Sequence, residues 1–231
     1  MADFAAVIPA YNAEPSIGEV VRRSRAVLPR VLVVDDGSTD GTGSKALAGG
    51  ARVLTHPSNR GKGAALRTAF EALEGEPLDA IITLDADGQH DPGDIPLFLE
   101  AFGRSRADII VGSRSSDFTS MSPGRRFGNR FSSAALRLIS GLPLPDSQSG
   151  FRLYSASFLR KVKARGNAYE AEMELLLRAA AGGFRVEAVT LRSFVADGRA
   201  GSHFRPWVDT WKICVCVVGL SLRRLLPGKN R

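Results

Sequence analysis

The sequence predicts an α/β fold in which a mainly parallel central sheet is flanked by helices. Three observations carry this. Short apolar runs recur along the first half, as buried strands require. Stretches with helical patterning separate them, which implies right-handed crossovers between parallel strands. The 231 residues are 44% hydrophobic and 24% charged, enough for one sizeable core.

Residues 5–8 read as the first strand, ending at Pro9. Ser16 with Glu19 three residues on has the capping-box pattern, so a helix is expected from there to about Leu28. Residues 31–34 make a second strand, and the acidic segment 35–41 a loop before a short helix to about Leu47. Residues 52–55 are a third strand, 61–73 a helix and 80–84 a fourth strand. Asp91 before Pro92 can cap a helix over 91–102. Residues 108–111 form a fifth strand. A polar loop spans 113–124 and a helix 126–140. After a loop at 143–150, residues 169–181 read as a helix and 184–195 as a strand. Residues 196–206 are a loop and 207–226 an apolar helix. With no repeat and no linker, 1–231 is one domain.

Leu84 to Pro92 reads L-D-A-D-G-Q-H-D-P. Asp85 and Asp87, two apart at a strand end, point to one side. Such carboxylates repel unless positive charge lies between them. Mg²⁺ takes one or two protein carboxylates plus substrate phosphates, and Gln89 offers a further oxygen. A calcium loop needs Gly at its sixth position and Glu at its twelfth, where this chain has His90 and Pro96. The plain alternative is a turn. Val33 to Gly41 reads V-V-D-D-G-S-T-D-G, where Asp35 or Asp36 can accept from a nucleobase N–H or ribose hydroxyls. Tyr11 can cover the base or simply pack. Gly61-Lys62-Gly63 opens a helix, whose N-terminal N–H groups attract phosphate. His56, His90 and His203 share no ligand-like spacing.

The net charge of +7 points to an anionic partner. Nucleic acid is excluded as the expected one: no zinc-finger or RNA-binding signature is present, and only 7% of residues are aromatic. Cys214 and Cys216 point to different faces of one helix, which suits a reducing compartment. No secretion signal opens the chain, so a cytoplasmic location is expected. Residues 213–222 are too short to cross a bilayer, which takes about 20 apolar residues. Flanked by Lys212 and Arg223-Arg224 and preceded by Trp207 and Trp211, they suit an interfacial helix or a core-packing one.

P-A-Y-N (9–12), V-V-D-D-G-S-T-D (33–40), N-R-G-K-G-A-A-L-R (59–67) and L-D-A-D-G-Q-H-D-P, in this order and spacing, resemble the family-two nucleotide-sugar glycosyltransferases with the GT-A fold. D-S-Q-S-G-F-R (146–152) and S-H-F-R-P (202–206) resemble their polyprenyl-phosphate branch, the dolichyl-phosphate mannose synthase-like enzymes. Many members carry Glu directly after the Tyr-Asn pair. This chain has Ala13 there and Glu14 next.

The resemblance implies that Asp85, Asp87 and Gln89 hold Mg²⁺ or Mn²⁺ against the diphosphate of a nucleotide-sugar donor. It implies that Asp35 or Asp36 reads base and ribose, that Lys62 helps neutralise the diphosphate, and that Pro9, Tyr11, Glu14, Ala86 and Arg205 complete the donor site. The expected acceptor is a polyprenyl phosphate. A phosphate monoester is largely dianionic at neutral pH, with its second pKa near ~6, and needs positive partners rather than a base. Arg114, Arg125, Arg126, Arg130, Arg152 and Arg205 are available, with Arg114 and Arg130 foremost. Ser149 and Gly150 shape the pocket under the sugar, and His203 can contact the pyrophosphate. Transfer to that acceptor is expected to invert; the other expected activity is transfer to a saccharide hydroxyl, with a base such as Glu172. Attachment to the inner membrane face is expected to be peripheral or through a membrane-protein partner, and a homo-oligomer stays open.

Overall fold

The computed structural model describes residues 3–114, 123–168 and 170–192, without the side chains of 123–128, 130 and 131. The strands are β1 (Phe4–Ala10), β2 (Arg30–Asp35), β3 (Arg52–Thr55), β4 (Ala80–Thr83), β5 (Ile109–Ser113), β6 (Arg152–Ser155) and β7 (Val186–Thr190). The helices are α1 (Ile17–Arg25), α2 (Thr42–Ala48), α3 (Lys62–Ala72), α4 (Ile95–Ser105), α5 (Pro123–Ser140), α6 (Ala156–Lys161) and α7 (Glu170–Ala181).

The strands form one sheet in the order β3-β2-β1-β4-β6-β5-β7. Every neighbouring pair is parallel except the two that β6 makes, with β4 and β5. The expected mainly parallel sheet is therefore found. Its two faces are each covered, which is why the central strands β1 and β4 are apolar through most of their length rather than alternating. Ala5, Val7, Leu32 and Val34 face α3 and α7 through Ala65, Leu66, Leu175 and Leu176. Ala6, Ile8, Val33 and Ile82 face α1 and α4 through Ile17, Val21, Ile95 and Phe98.

Pro9 lies inside β1 rather than after it. Val7 O accepts from Leu84 N–H and Ala10 O from Asp36 N–H, so Pro9 presents its donorless nitrogen toward β4. Pairing with β4 has already ended at Val7 and Thr83, so no ladder bond is lost. The expected capping box is absent. Ser16 donates its hydroxyl to Ala86 O at 2.6 Å, and Glu19 pairs with Arg22 at 2.6 Å. Asp91 does cap as expected, accepting from Gly93 N–H at 2.7 Å ahead of a 3-10 turn at Pro92–Asp94.

Candidate active site

The parallel strands bring the carboxyl ends of β1, β2 and β4 to one edge, where ligands of open α/β sheets sit. Because β6 runs the other way, residues 146–151 arrive at that same edge, with Thr83 opposite Arg152. Thr83 Oγ1 donates to Gly150 O at 3.1 Å and ties the two segments together.

At the end of β2, Asp35 accepts the Ser38 N–H at 3.0 Å. Asp36 is committed inward. Its Oδ1 meets His56 Nδ1 at 2.6 Å and the Arg60 N–H at 3.0 Å, and its Oδ2 takes the Gly61 N–H at 2.7 Å. His56 Nε2 continues to Thr68 Oγ1 on α3 at 2.9 Å. Asp36 and His56 are both buried, so this network clamps the loop that launches α3. His56 belongs to it rather than to any metal set.

Half-buried Tyr11 follows β1 at this edge. Asn12 Oδ1 accepts from Thr39 N–H at 2.9 Å, and Ser38 Oγ accepts from Asn12 N–H at 2.9 Å. Glu14 Oε2 accepts from Gly41 N–H at 3.0 Å. That bond first, and Lys45 next, hold the Glu14 carboxyl below its ordinary value. The segments 9–14 and 35–41 are thus stapled into one wall.

The second acidic pair faces that wall. Lys62 Nζ lies 2.6 Å from Asp85 Oδ1 and 2.9 Å from Glu172 Oε2 on α7. Burial acts to raise Asp85, but Lys62, His90 and Arg114 outweigh it and pull the carboxyl down to about 2. Asp87 behaves oppositely. Burial, then repulsion from Asp85, push it up to about 6, although it accepts from Gln89 N–H at 3.0 Å. One carboxylate is firmly ionised and its neighbour holds charge reluctantly, which is an unmet demand for positive charge. Ala86, between them, is buried, and its carbonyl is the one that Ser16 pins. Gly150 closes over the Lys62–Asp85 pair: a Cβ there would lie 2.5 Å from Asp85 Oδ2 and 2.6 Å from Lys62 Nζ. Buried His90 sits 3.7 Å from Asp85 and against the Phe151 ring at 5.4 Å, with burial pushing it down to about 4.

The helix N-terminus itself is not open. At Gly61, whose φ is +93°, a Cβ would lie 2.4 Å from Asn167 O, which also accepts from Ala64 N–H at 3.1 Å. The backbone N–H groups thought to attract phosphate are thus covered there, and the positive charge comes from the Lys62 side chain.

Arg114, just past β5, makes a forked contact with Asp146, Nε to Oδ2 at 2.6 Å and Nη2 to Oδ1 at 3.1 Å. Asp146 is fully buried and also accepts from Asn129 Nδ2, Gln148 N–H and Ser149 N–H. Burial opposes the Arg114 charge, and Asp146, with Asp85 and Asp87, outweighs it. Arg152 is a correction. Offered as a phosphate partner, it is 1% exposed and donates to the carbonyls of Ser149 (2.7 Å), Ser147 (2.8 Å) and Glu172 (2.8 Å). It is the internal brace of the 146–152 turn. Arg130 falls on α5, with its side chain outside the described residues, like those of Arg125 and Arg126. His203, Arg205 and the expected helix 207–226 also lie outside them.

The partners of Lys62 and Arg114, namely Glu172 and Asp146, come from segments more than thirty residues away. No local pattern pairs them; only the motif 146–152 marks that region. Among the described residues no three His, Cys, Asp or Glu form a metal cage. Two carboxylates with hard oxygen donors nonetheless suit a divalent ion whose remaining ligands are water and phosphate oxygens. Among the same residues no helix is long and apolar enough to cross a membrane.

The model of glycosyl transferase family 2 matches residues 5–163. Undecaprenyl-phosphate mannosyltransferase of Micrococcus luteus is 32% identical over 182 residues, covering 72% of this chain and 74% of that one. Polyprenol monophosphomannose synthase of Mycolicibacterium smegmatis is 31% identical over 217 residues, covering 86% and 82%. The fold superposes on glucosyl-3-phosphoglycerate synthase of Mycobacterium tuberculosis, crystallised with Mn²⁺, uridine diphosphate and phosphoglyceric acid. There the TM-score is 0.72 at 22% identity, over 95% of this chain and 78% of that one. A GT-A sheet, an acidic strand end facing Lys62, and these likenesses lead to one conclusion: the chain belongs to glycosyl transferase family 2 and is a glycosyltransferase.

Proposed function

We propose that this glycosyltransferase moves a hexose from a nucleoside diphosphate sugar to a polyprenyl phosphate at the cytoplasmic membrane face, with inversion and with Mg²⁺ or Mn²⁺ at Asp85 and Asp87. The observation that carries the reading is the acidic pair at the end of β4, where Lys62 Nζ lies 2.6 Å from Asp85 while Asp87 beside it is pushed up by burial and by Asp85. A divalent ion, when bound, supplies the charge that Asp87 lacks and stabilises the departing diphosphate.

The chain's own groups do the rest. Asp35 takes the nucleoside, since Asp36 is spent on His56, Arg60 and Gly61. Pro9, Tyr11 and the braced Glu14 wall frame the base. Lys62 adds charge beside the diphosphate. Arg114, held by Asp146, and Arg130 orient the acceptor phosphate, whose oxygen attacks the anomeric carbon opposite the leaving group. That dianion needs no proton removed. The M. luteus and M. smegmatis relatives, named for undecaprenyl-phosphate and polyprenol acceptors, support the choice of acceptor. So does Glu172, whose Oε2 is engaged by Lys62 at 2.9 Å rather than left for an acceptor hydroxyl.

The test is incubation with undecaprenyl phosphate, Mg²⁺ and radiolabelled GDP-mannose or UDP-glucose, followed by solvent extraction. Label in the lipid phase, abolished by EDTA, is expected. No lipid product with any common donor removes the acceptor assignment.

A further inference from the structure

Lys62 has two carboxylate seats. Its Nζ lies 2.6 Å from Asp85 Oδ1 and 2.9 Å from Glu172 Oε2. Asp85 is one of the two residues assigned to the divalent ion, so the ammonium occupies an oxygen that the ion would use. Glu172 is held at the bottom of the site, 4% exposed, on α7. Its Oε1 has no hydrogen-bond partner among the described residues, with Arg152 Nε 3.9 Å away. A second lone-pair face is therefore available to Lys62 without moving Glu172. Gly150 lies over the pair, where a Cβ would come within 2.6 Å of Lys62 Nζ. Because the ammonium already touches Glu172, it can withdraw from Asp85 with a small sideways movement toward Glu172.

We propose that Lys62 is a built-in placeholder cation, seated on Asp85 until the divalent ion enters with the nucleoside diphosphate, and that Glu172 is the positioning residue that receives it. The inference rests on the metal reading above and adds an order to it. The ammonium on Asp85 repels an incoming ion, so the chain alone binds the ion weakly. The diphosphate supplies the oxygens and charge that make the exchange favourable. Lys62, moved to Glu172, stays beside the diphosphate.

The measurement is calorimetric titration of the full chain with MnCl₂, alone and with saturating UDP or GDP. Wild type is expected to bind Mn²⁺ weakly alone and more tightly with a nucleotide. Removing a unit charge at this range changes affinity by about tenfold, so K62M is expected to bind Mn²⁺ about tenfold more tightly than wild type without nucleotide. E172Q, which removes the second seat, is expected to bind Mn²⁺ several-fold more weakly than wild type with nucleotide present. Opposite signs separate this device from a merely structural role, which would weaken both. K62M/E172Q removes the charge of buried Glu172 along with that of Lys62, so only the part-exposed Asp85 loses its counter-charge. The double variant guards against misfolding of K62M and is expected to exceed wild type in Mn²⁺ affinity. Circular dichroism confirms the fold of each. Mn²⁺ binding by wild type with no gain in folded K62M or K62M/E172Q overturns the placeholder alone. No Mn²⁺ binding by wild type with either nucleotide overturns the metal reading and the placeholder together.

Discussion

Gly150 shows how narrow the tolerance is at the residue scale. Its missing side chain is what lets Lys62 and Asp85 meet, since a Cβ would stand within 2.6 Å of both. Gly150→Ala is expected to fold and to lose about tenfold to hundredfold in transfer rate, because ångström displacements at a reacting site cost that much. Steady-state assays of the lipid product check it. Asp87 and His90 carry opposite pH signatures. Asp87 has its carboxyl raised from 3.8 to about 6, so its contribution is present below pH 4 and lost as pH rises to 6. His90, lowered from 6.5 to about 4, contributes above pH 6.5 and loses that as pH falls to 4. In EDTA the two slopes oppose each other. Asp87→Asn is expected to uncover stability that rises with pH across 4–6, and His90→Gln stability that falls. Urea melts at several pH values read this directly.

At the scale of elements, β6 is the piece that completes the site. It inserts antiparallel between β4 and β5 and so delivers residues 146–151 to the edge that carries the candidate site. Its first residue, Arg152, is a buried cation whose guanidinium serves three carbonyls. Arg152→Met strips those carbonyls of their donors and is expected to cost about 3–5 kcal/mol in urea unfolding. The same residue explains why β6 is not legible in the sequence. R-L-Y-S is short and opens on a charge, and the carbonyls that accept that charge come from Ser147, Ser149 and Glu172. The other strands needed no such tertiary partner. Val31 to Val34 and Ala80 to Ile82 are apolar because helices cover both faces, and that pattern is visible from the chain alone. The capping box at Ser16 failed for a related reason: the Ser16 hydroxyl turns to Ala86 O in a distant segment, and the Glu19 N–H goes to the Ser16 carbonyl instead of the side chain. In the site, the acidic pair was legible because both carboxylates sit on one strand end. The inward commitment of Asp36 was not, because His56, just past β3, and Thr68, on α3, come from elsewhere in the chain.

At the scale of the molecule, one edge of one sheet gathers the acidic pair, Lys62 and Arg114, while the chain carries a net charge of +7. On the proposed lipid-phosphate acceptor, this basic chain is expected to cosediment with vesicles of anionic lipid, to ignore zwitterionic ones, and to be released at high salt. Binding that salt leaves unchanged would instead point to apolar insertion.

The central claim is that a divalent ion at Asp85 and Asp87 grips the donor diphosphate. It is tested most directly by titrating GDP and UDP into wild type and Asp87→Ala, with Mn²⁺ and with EDTA. Tight nucleotide binding by wild type only when Mn²⁺ is present, and lost in Asp87→Ala, is the predicted result. Nucleotide affinity indifferent to Mn²⁺, or unchanged in Asp87→Ala, would contradict it.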